Sequence, residues 1–254
     1  MDKPFKPYVP KKRTAVLPPS EPIVELPKIM MIRHLERIDY SDNPSSKEYK
    51  EWLTKKTNYN YLINPYLDNE NSAKRLIDNL YGKHIDHIIC SPFVRCIQTA
   101  IMVTNSDELD ISDKTIHIDY RLGELIHREF SFNVPLNSEE VFEHSKIYID
   151  ENFNTYRYEL DTSNNLPLVF EDYESDEAYD KRILDELKNI RSKYSGNLLI
   201  VTHADAYKQF NEGRKGMNYA TIYNINLELT GDSYKEKYIK YKTKYLELKA
   251  KFKK

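Results

Sequence analysis

Cysteine and long apolar segments are scarce in this 254-residue chain. Its two cysteines, Cys90 and Cys96, flank a predicted turn from a strand into a helix, which argues against a disulfide and favours a reducing compartment. No zinc-type spacing of cysteine and histidine occurs. No apolar run approaches the roughly 20 residues that a membrane-spanning helix needs, and no hydrophobic region follows Met1 as in a signal peptide. We therefore expect a cytoplasmic protein without a transmembrane segment.

Proline and charge are distributed unevenly along the chain. Residues 1–27 hold seven of the twelve prolines, which predicts a proline-rich extended arm. Residues 233–254 hold nine lysines and two glutamates, a net charge of +7, which leaves −9 for the remainder of a chain whose total is −2. Hydrophobic residues make up 40% of the sequence, enough for a core within residues 28–232. An arm, a globular domain and a basic tail are therefore predicted.

Both ends carry patterns that suggest partners. The run from Pro7 to Lys12 has the form Pro-x-x-Pro-x-basic, a ligand pattern for SH3-type grooves that is also common in plain linkers. The tail predicts a helix, because apolar side chains recur at heptad spacing with lysines on the other faces. Such a helix would pack on its own domain, pair with itself in a homodimer, dock a protein, or bind an anionic membrane or nucleic acid. The heptad positions are Tyr234, Tyr238, Tyr241, Tyr245, Leu248 and Phe252.

Predicted strands alternate with predicted helices through the central domain. The strands are expected at 28–33, 85–90, 116–119, 197–202 and 219–229, and the helices at 72–80, 93–105 and 176–194. This alternation predicts an α/β fold, a three-layer sandwich in which helices flank a mainly parallel central sheet. Residues 38–71 are predicted to be irregular. Residues 131–174 are too long for a bare loop, and we interpret them as an inserted cap segment that overhangs the site.

The run Arg33-His34-Leu35-Glu36-Arg37 is the strongest functional signal. It follows the apolar residues 29–32, so it falls at the carboxyl end of a buried strand, where open α/β sheets place their ligands. Two guanidinium groups at that position match the oxygens of a phosphoryl group. Neutral imidazole is a competent nucleophile near pH 7 because its ordinary pKa is about 6.5.

Three further predicted strands end in residues of matching chemistry. Arg95 follows the strand at 85–90, Glu124 follows the strand at 116–119, and His203 follows the strand at 197–202. Because the carboxyl ends of parallel strands share one edge of a sheet, these residues are expected to converge with His34. Taken singly, the arginines would be surface ion pairs and the histidines satisfied core residues.

These residues resemble the histidine phosphatase superfamily, which has the phosphoglycerate mutase-like fold. Within it, the likeness is strongest to the phosphatase domain of the ubiquitin-associated and SH3-domain-containing (Sts/TULA) group and to the ecdysteroid-phosphate phosphatases. The tail is similar to Tyr/Lys-rich C-terminal segments of giant-virus proteins, which implies a viral protein acting in the host cytoplasm. The superfamily elements are Arg33-His34-x-x-Arg37, Ser91-Pro92-x-x-Arg95 with Gln98-Thr99-Ala100, Leu122-x-Glu124, and His203.

The resemblance implies catalytic roles for His34 and His203, and phosphate-binding roles for His203 and the arginines. His34 would attack phosphorus and become a phosphohistidine. Arg33, Arg37 and Arg95 would neutralise the phosphoryl oxygens, so that no metal or other cofactor is needed. His203 would donate a further hydrogen bond to the same group.

Glu124 is implied to be the catalytic acid and base. It would protonate the leaving oxygen and then activate water. Glu129 lies nearby in the sequence, but Glu124 is favoured because it directly follows the strand. The substrate would be a phosphorylated small molecule or phosphoprotein, with phosphotyrosine and other aryl or steroid-like phosphates favoured.

Two other functions stay open, and Leu35 supports the first of them. The superfamily usually has glycine there, and leucine would narrow the pocket or shift His34. One alternative is therefore a catalytically weak protein that binds phosphorylated ligands or acts as a scaffold. The second is a phosphoglycerate mutase-like phosphotransferase. A cysteine-dependent phosphatase is excluded, because Cys90 and Arg95 lack the spacing that this chemistry uses.

Overall fold

A computed structural model describes most of the predicted central domain. The proline-rich arm, the basic tail and Glu129 lie outside the described residues. The predictions made for them therefore concern residues that the structure does not describe. The described ranges are 28–38, 47–55, 71–125, 136–152, 158–160, 169–170, 174–211 and 213–227.

Eight strands form two sheets in the described part of the chain. In chain order they are β1 (Ile29–Arg33), β2 (His87–Cys90), β3 (Ile116–Ile118), β4 (Leu136–Asn137), β5 (Tyr158–Leu160), β6 (Val169–Phe170), β7 (Leu198–Thr202) and β8 (Ile222–Ile225). The central sheet has the order β5-β3-β2-β7-β1-β8. Its strands pair in parallel except β8, which runs antiparallel to β1. Strands β4 and β6 form a separate antiparallel pair.

Five α-helices accompany these strands in the described ranges. They are α1 (Lys47–Lys55), α2 (Asn71–Leu80), α3 (Val94–Thr104), α4 (Ser138–Asn152) and α5 (Asp176–Lys193). Helix α5 begins as predicted, because the Ser175 hydroxyl accepts a hydrogen bond from the backbone N–H of Ala178 at 3.2 Å and so caps the first turn.

The core has two halves, one on each face of the sheet. Along β1, Met30 and Ile32 pack into one cluster while Ile29 and Met31 pack into the other, because successive strand side chains point to opposite faces. Helices α2, α3 and α4 contribute to the first cluster and α5 to the second. The predicted three-layer α/β sandwich with a mainly parallel sheet is therefore confirmed.

Two parts of the chain differ from the sequence prediction. Helix α1 lies within the stretch expected to be irregular, where Tyr49 and Leu53 are its only described partly buried apolar residues. Within residues 131–174, α4 packs on α3 and β5 extends the central sheet beside β3. These pieces build the sandwich itself, a role that the interpretation as an overhanging cap did not include. Strand β5 has only three residues at the sheet edge, too few to show an alternating pattern.

None of the helices in the described part of the chain combines the length and the apolar character that crossing a lipid bilayer requires.

Candidate active site

Three adjacent parallel strands bring the predicted residues to one edge of the sheet. Strand β7 lies between β1 and β2, and the registers pair Arg33 with Thr202 and Cys90 with Val201. The residues that follow these strands therefore meet. The N–H of His34 donates to the Thr202 carbonyl at 2.9 Å, and the N–H of Ser91 donates to the Val201 carbonyl at 3.0 Å.

His203 lies at the centre of this group and is fully buried. Its Nε2 is 2.8 Å from the Ser91 hydroxyl, and its Nδ1 is 3.3 Å from an Arg95 guanidinium nitrogen. Because a guanidinium only donates, Nδ1 accepts, and the neutral ring carries its proton on Nε2 toward Ser91. Arg95 also contacts the Glu124 carboxylate, and a Glu124 oxygen is 3.7 Å from His203 Nδ1.

His34 is held in one tautomer by its own backbone neighbour. Its Nδ1 lies 2.7 Å from the Leu35 carbonyl oxygen, which can only accept a hydrogen bond. Nδ1 therefore carries the proton, and the neutral ring keeps its lone pair on Nε2. The His34 and His203 rings are 5.5 Å apart between centroids.

Burial and three arginines keep both histidines neutral. Burial is the main cause that lowers the pKa of His34 well below its usual value, followed by the charges of Arg95 and Arg33, with a smaller contribution from Arg37. The same causes lower the pKa of His203, together with repulsion from His34. A protonated imidazole would repel these cations in a dry environment. The guanidinium groups therefore lower the pKa of both imidazole rings, and they favour the binding of an anion.

Arg33 is oriented by Tyr219. The guanidinium carbon lies 3.8 Å from the Tyr219 ring centroid, and Nη2 donates to the Tyr219 hydroxyl at 2.9 Å. Nη1 is 3.4 Å from the Met217 carbonyl. Among the described residues, no hydrogen-bond partner is found for the buried Arg33 Nε. A buried donor of this kind is available to an anion.

The sequence profile of the "Histidine phosphatase superfamily (branch 1)" matches residues 68–244. This range covers more than half of the chain and includes Ser91, Arg95, Glu124 and His203. The chain belongs to this superfamily. The match begins after His34, so the place of His34 in the site depends on the geometry described above. A search of curated proteins finds no match.

Solved structures with similar folds include several phosphatases and a mutase. The ecdysone phosphate phosphatase from Bombix mori is 17% identical with a TM-score of 0.49, over 79% of this chain and 89% of that one. The phosphoglycerate mutase from Bacillus anthracis str. Sterne is 16% identical with a TM-score of 0.49, over 78% and 86%. The alpha-ribazole phosphatase from Shigella flexneri is 15% identical with a TM-score of 0.44, over 78% and 90%.

Leu35 is a core residue that holds the backbone beside His34. Its side chain is fully buried and packs within the core cluster that includes Leu76 and Val94. Its N–H donates a hydrogen bond to the Thr99 hydroxyl at 3.1 Å, and its carbonyl oxygen accepts one from His34 Nδ1. These two hydrogen bonds anchor the backbone next to His34.

Site roles for Ser91, Thr99 and Tyr219 were not predicted from the sequence. Ser91 had a detectable signal, because it directly follows a strand within a superfamily element. Tyr219 had none, since it contacts Arg33 from 186 positions away along the chain. Thr99 supports Leu35 from the second turn of α3.

The two cysteines are buried thiols. Burial raises the pKa of Cys96 to about 12 and that of Cys90 well above its usual range. A thiol with a raised pKa is a poor nucleophile. The pKa values therefore agree with the exclusion of cysteine-dependent chemistry.

His34, Glu124 and His203 also have the spacing of a metal site, since one ligand atom from each lies within 4.8 Å of the others. The surrounding charges oppose this use. Arg95 already contacts Glu124 and lies 3.3 Å from His203 Nδ1, and a metal ion there would be repelled by the fully buried guanidinium. With the Arg95 guanidinium among them, these side chains fit a bound anion better than a metal cation.

Proposed function

We propose that this chain is a metal-independent phosphomonoesterase that works through a phosphohistidine at His34. The observation that carries the proposal is the His34 tautomer. Its protonated Nδ1 is bound to the Leu35 carbonyl at 2.7 Å, which leaves the Nε2 lone pair as the nucleophile. The lowered pKa of His34 keeps that lone pair unprotonated near neutral pH.

The arginines supply the charge that metal ions provide in other phosphotransferases. Arg95 is fully buried, and Arg33 and Arg37 act with it on His34. As the phosphorus–oxygen bond breaks, negative charge spreads over the phosphoryl oxygens, where buried guanidinium groups stabilise it. His203 carries a proton on Nε2 and would share it between Ser91 and the phosphoryl group.

Glu124 completes the reaction as acid and base. In the first step, Nε2 of His34 forms a bond to phosphorus while the ester bond breaks, and Glu124 gives its proton to the leaving oxygen. In the second step, the Glu124 carboxylate takes a proton from water, the water oxygen bonds to phosphorus, and the bond to His34 breaks. Inorganic phosphate leaves and both side chains return to their starting states.

The proposed substrates are aryl or steroid-like phosphates, including phosphotyrosine. Tyr219 supports this class, because its half-buried ring lies 6.0 Å from the His34 ring between centroids and offers an aromatic surface beside the nucleophile. A phosphorylated small molecule or a phosphoprotein would both present such a group.

The test is hydrolysis of p-nitrophenyl phosphate in the presence of EDTA. We expect native turnover that EDTA does not reduce, and a loss of more than about 10³-fold in kcat for His34→Ala. The control is His84→Ala, because His84 is an exposed histidine that pairs with Asp86 near the opposite end of β2. Rapid quenching should trap an acid-labile phosphate on the native chain and none on His34→Ala. Equal hydrolysis by native protein and His34→Ala would refute the enzyme and favour a phospho-ligand-binding protein.

A further inference from the structure

The segment that carries Glu124 is held by side chains from two other elements. Residues 119–125 follow β3. They form a short 3-10 turn, Tyr120–Leu122, and then lead into Glu124. Three successive carbonyl oxygens in this segment accept hydrogen bonds from side chains. Arg182 donates to the carbonyls of Arg121 and Gly123, the latter at 3.2 Å. The Thr202 hydroxyl donates to the Leu122 carbonyl at 2.9 Å.

Arg182 is itself fixed from the other side. The side chain belongs to α5 and is almost fully buried. Its Nε and Nη2 donate to the two Glu174 oxygens at 2.8 and 2.7 Å, a bidentate pair that fixes the plane of the guanidinium. Nη1 is therefore aimed at the backbone carbonyls that precede Glu124.

A second arginine also links the segment before Glu124 to α5, but this one belongs to the segment itself. Arg121, from the 3-10 turn, places its Nε 2.7 Å from a Glu186 oxygen on α5. The other Glu186 oxygen accepts a hydrogen bond from Asn189 at 2.8 Å, and the Glu186 side chain is only 1% exposed. A buried ion pair of this kind adds little net stability, since the cost of desolvation offsets the attraction. Its contribution here is orientation.

We infer that Arg182 and Glu174 are positioning residues for Glu124. They hold the backbone of residues 121–123, and Thr202 ties the same segment to the strand end that carries His203. A carboxyl group that is a quarter exposed is thereby kept in contact with Arg95 and 3.7 Å from His203. Efficient proton transfer depends on such placement. The inference rests on the proposed role of Glu124 as the acid.

Two substrates with different leaving groups separate positioning from mere stability. p-Nitrophenolate leaves readily without a proton, whereas the phenolate of phenyl phosphate is more basic and depends on the acid. The quantity to measure is kcat/KM for each substrate, because it reports phosphoryl transfer to His34. The ratio of the two values is independent of the fraction of folded protein, so partial unfolding does not affect it.

For Arg182→Met, we expect kcat/KM to fall about tenfold or more with phenyl phosphate and by about twofold with p-nitrophenyl phosphate. Arg182→Lys should restore part of the ratio, since it retains one charged donor. Glu124→Gln removes the acid itself, so it should give the largest change in the ratio of the two kcat/KM values. If Arg182→Met does not fold, Glu174→Gln, which weakens the bidentate pair, should change the ratio in the same direction.

Arg191→Met is the matched control. Arg191 lies on the same helix and also donates to backbone carbonyls, those of Gly196 at 2.8 Å and Lys28 at 3.3 Å. Both carbonyls precede the amino ends of β7 and β1, whereas the site follows the carboxyl ends of these strands. The ratio of the two kcat/KM values should therefore stay at the native value. An equal loss on both substrates for Arg182→Met and Glu174→Gln would overturn the positioning role. Full activity of His34→Ala would instead overturn the proposed function, so the two failures are distinguishable.

Discussion

Replacing Arg95 with glutamine tests the electrostatic account of the site most directly. Arg95 has no exposed surface, and its guanidinium lies between Glu124 and His203. At about 4 Å and an effective dielectric constant of about 20, one buried charge contributes about 4 kcal/mol toward a developing negative charge. That energy corresponds to about three orders of magnitude in rate. We therefore expect kcat/KM for p-nitrophenyl phosphate to fall about 10³-fold in Arg95→Gln.

The same variant should change the pH dependence in a defined direction. After burial, the Arg95 charge is the largest cause of the lowered pKa of His34. Removing the charge raises that pKa, and only the neutral ring attacks phosphorus. The acid limb of kcat/KM should therefore move to higher pH in Arg95→Gln.

The assay is a profile of kcat/KM from about pH 4 to about pH 8, followed by release of p-nitrophenol. Arg214→Gln is the control, because Arg214 is an exposed arginine whose partner is Asp180 on α5; it should keep the native profile. The reasoning is wrong if the acid limb of Arg95→Gln stays in place or moves to lower pH. A fall in kcat/KM of less than about tenfold would show that the buried charge does little for the transition state.

Two further results are expected from the buried residues around His34. Because the pKa of His34 and of His203 is lowered in the folded chain, the free energy of unfolding should be highest above the unfolded pKa of about 6.5 and decrease as the pH falls below it. His34→Asn should flatten that slope by up to about 1.4 kcal/mol per pH unit in urea titrations, and parallel slopes would contradict the lowered pKa. Leu35→Ala should cost about 2–5 kcal/mol by urea unfolding, because it opens a cavity in the core, whereas Ile147→Ala, at a side chain 57% exposed, should change stability by less than about 0.5 kcal/mol. A Leu35→Ala protein as stable as the native one would place Leu35 outside the core.

The sheet and the meeting point of His34 and His203 could be predicted because their signals are local. The apolar runs of β1 and β7 mark buried strands, and strands separated by helices pair in parallel. Parallel strands place their carboxyl ends together, so residues that follow them converge without any knowledge of the packing. The roles of these residues in chemistry stay predictions until the assays are done.

The direction of individual side chains could not be predicted in the same way. The sequence predicted that Leu35 would narrow the pocket or shift His34, and in the structure its side chain packs in the core cluster that includes Leu76. Strand β5 joins the edge of the sheet with only three residues by pairing in parallel with β3. Neither outcome has a periodic pattern that a single sequence would reveal.

By itself, the sequence determined the α/β alternation and the strand ends that carry His34 and His203, and it predicted an anion site there. The tertiary structure alone decided that Tyr219 holds Arg33, and that Arg182 and Thr202 hold the carbonyls before Glu124. The physical reason is the range of the interactions. Helix and strand patterns arise between residues a few positions apart, whereas these contacts join residues 59 to 186 positions apart and exist only after the layers have packed.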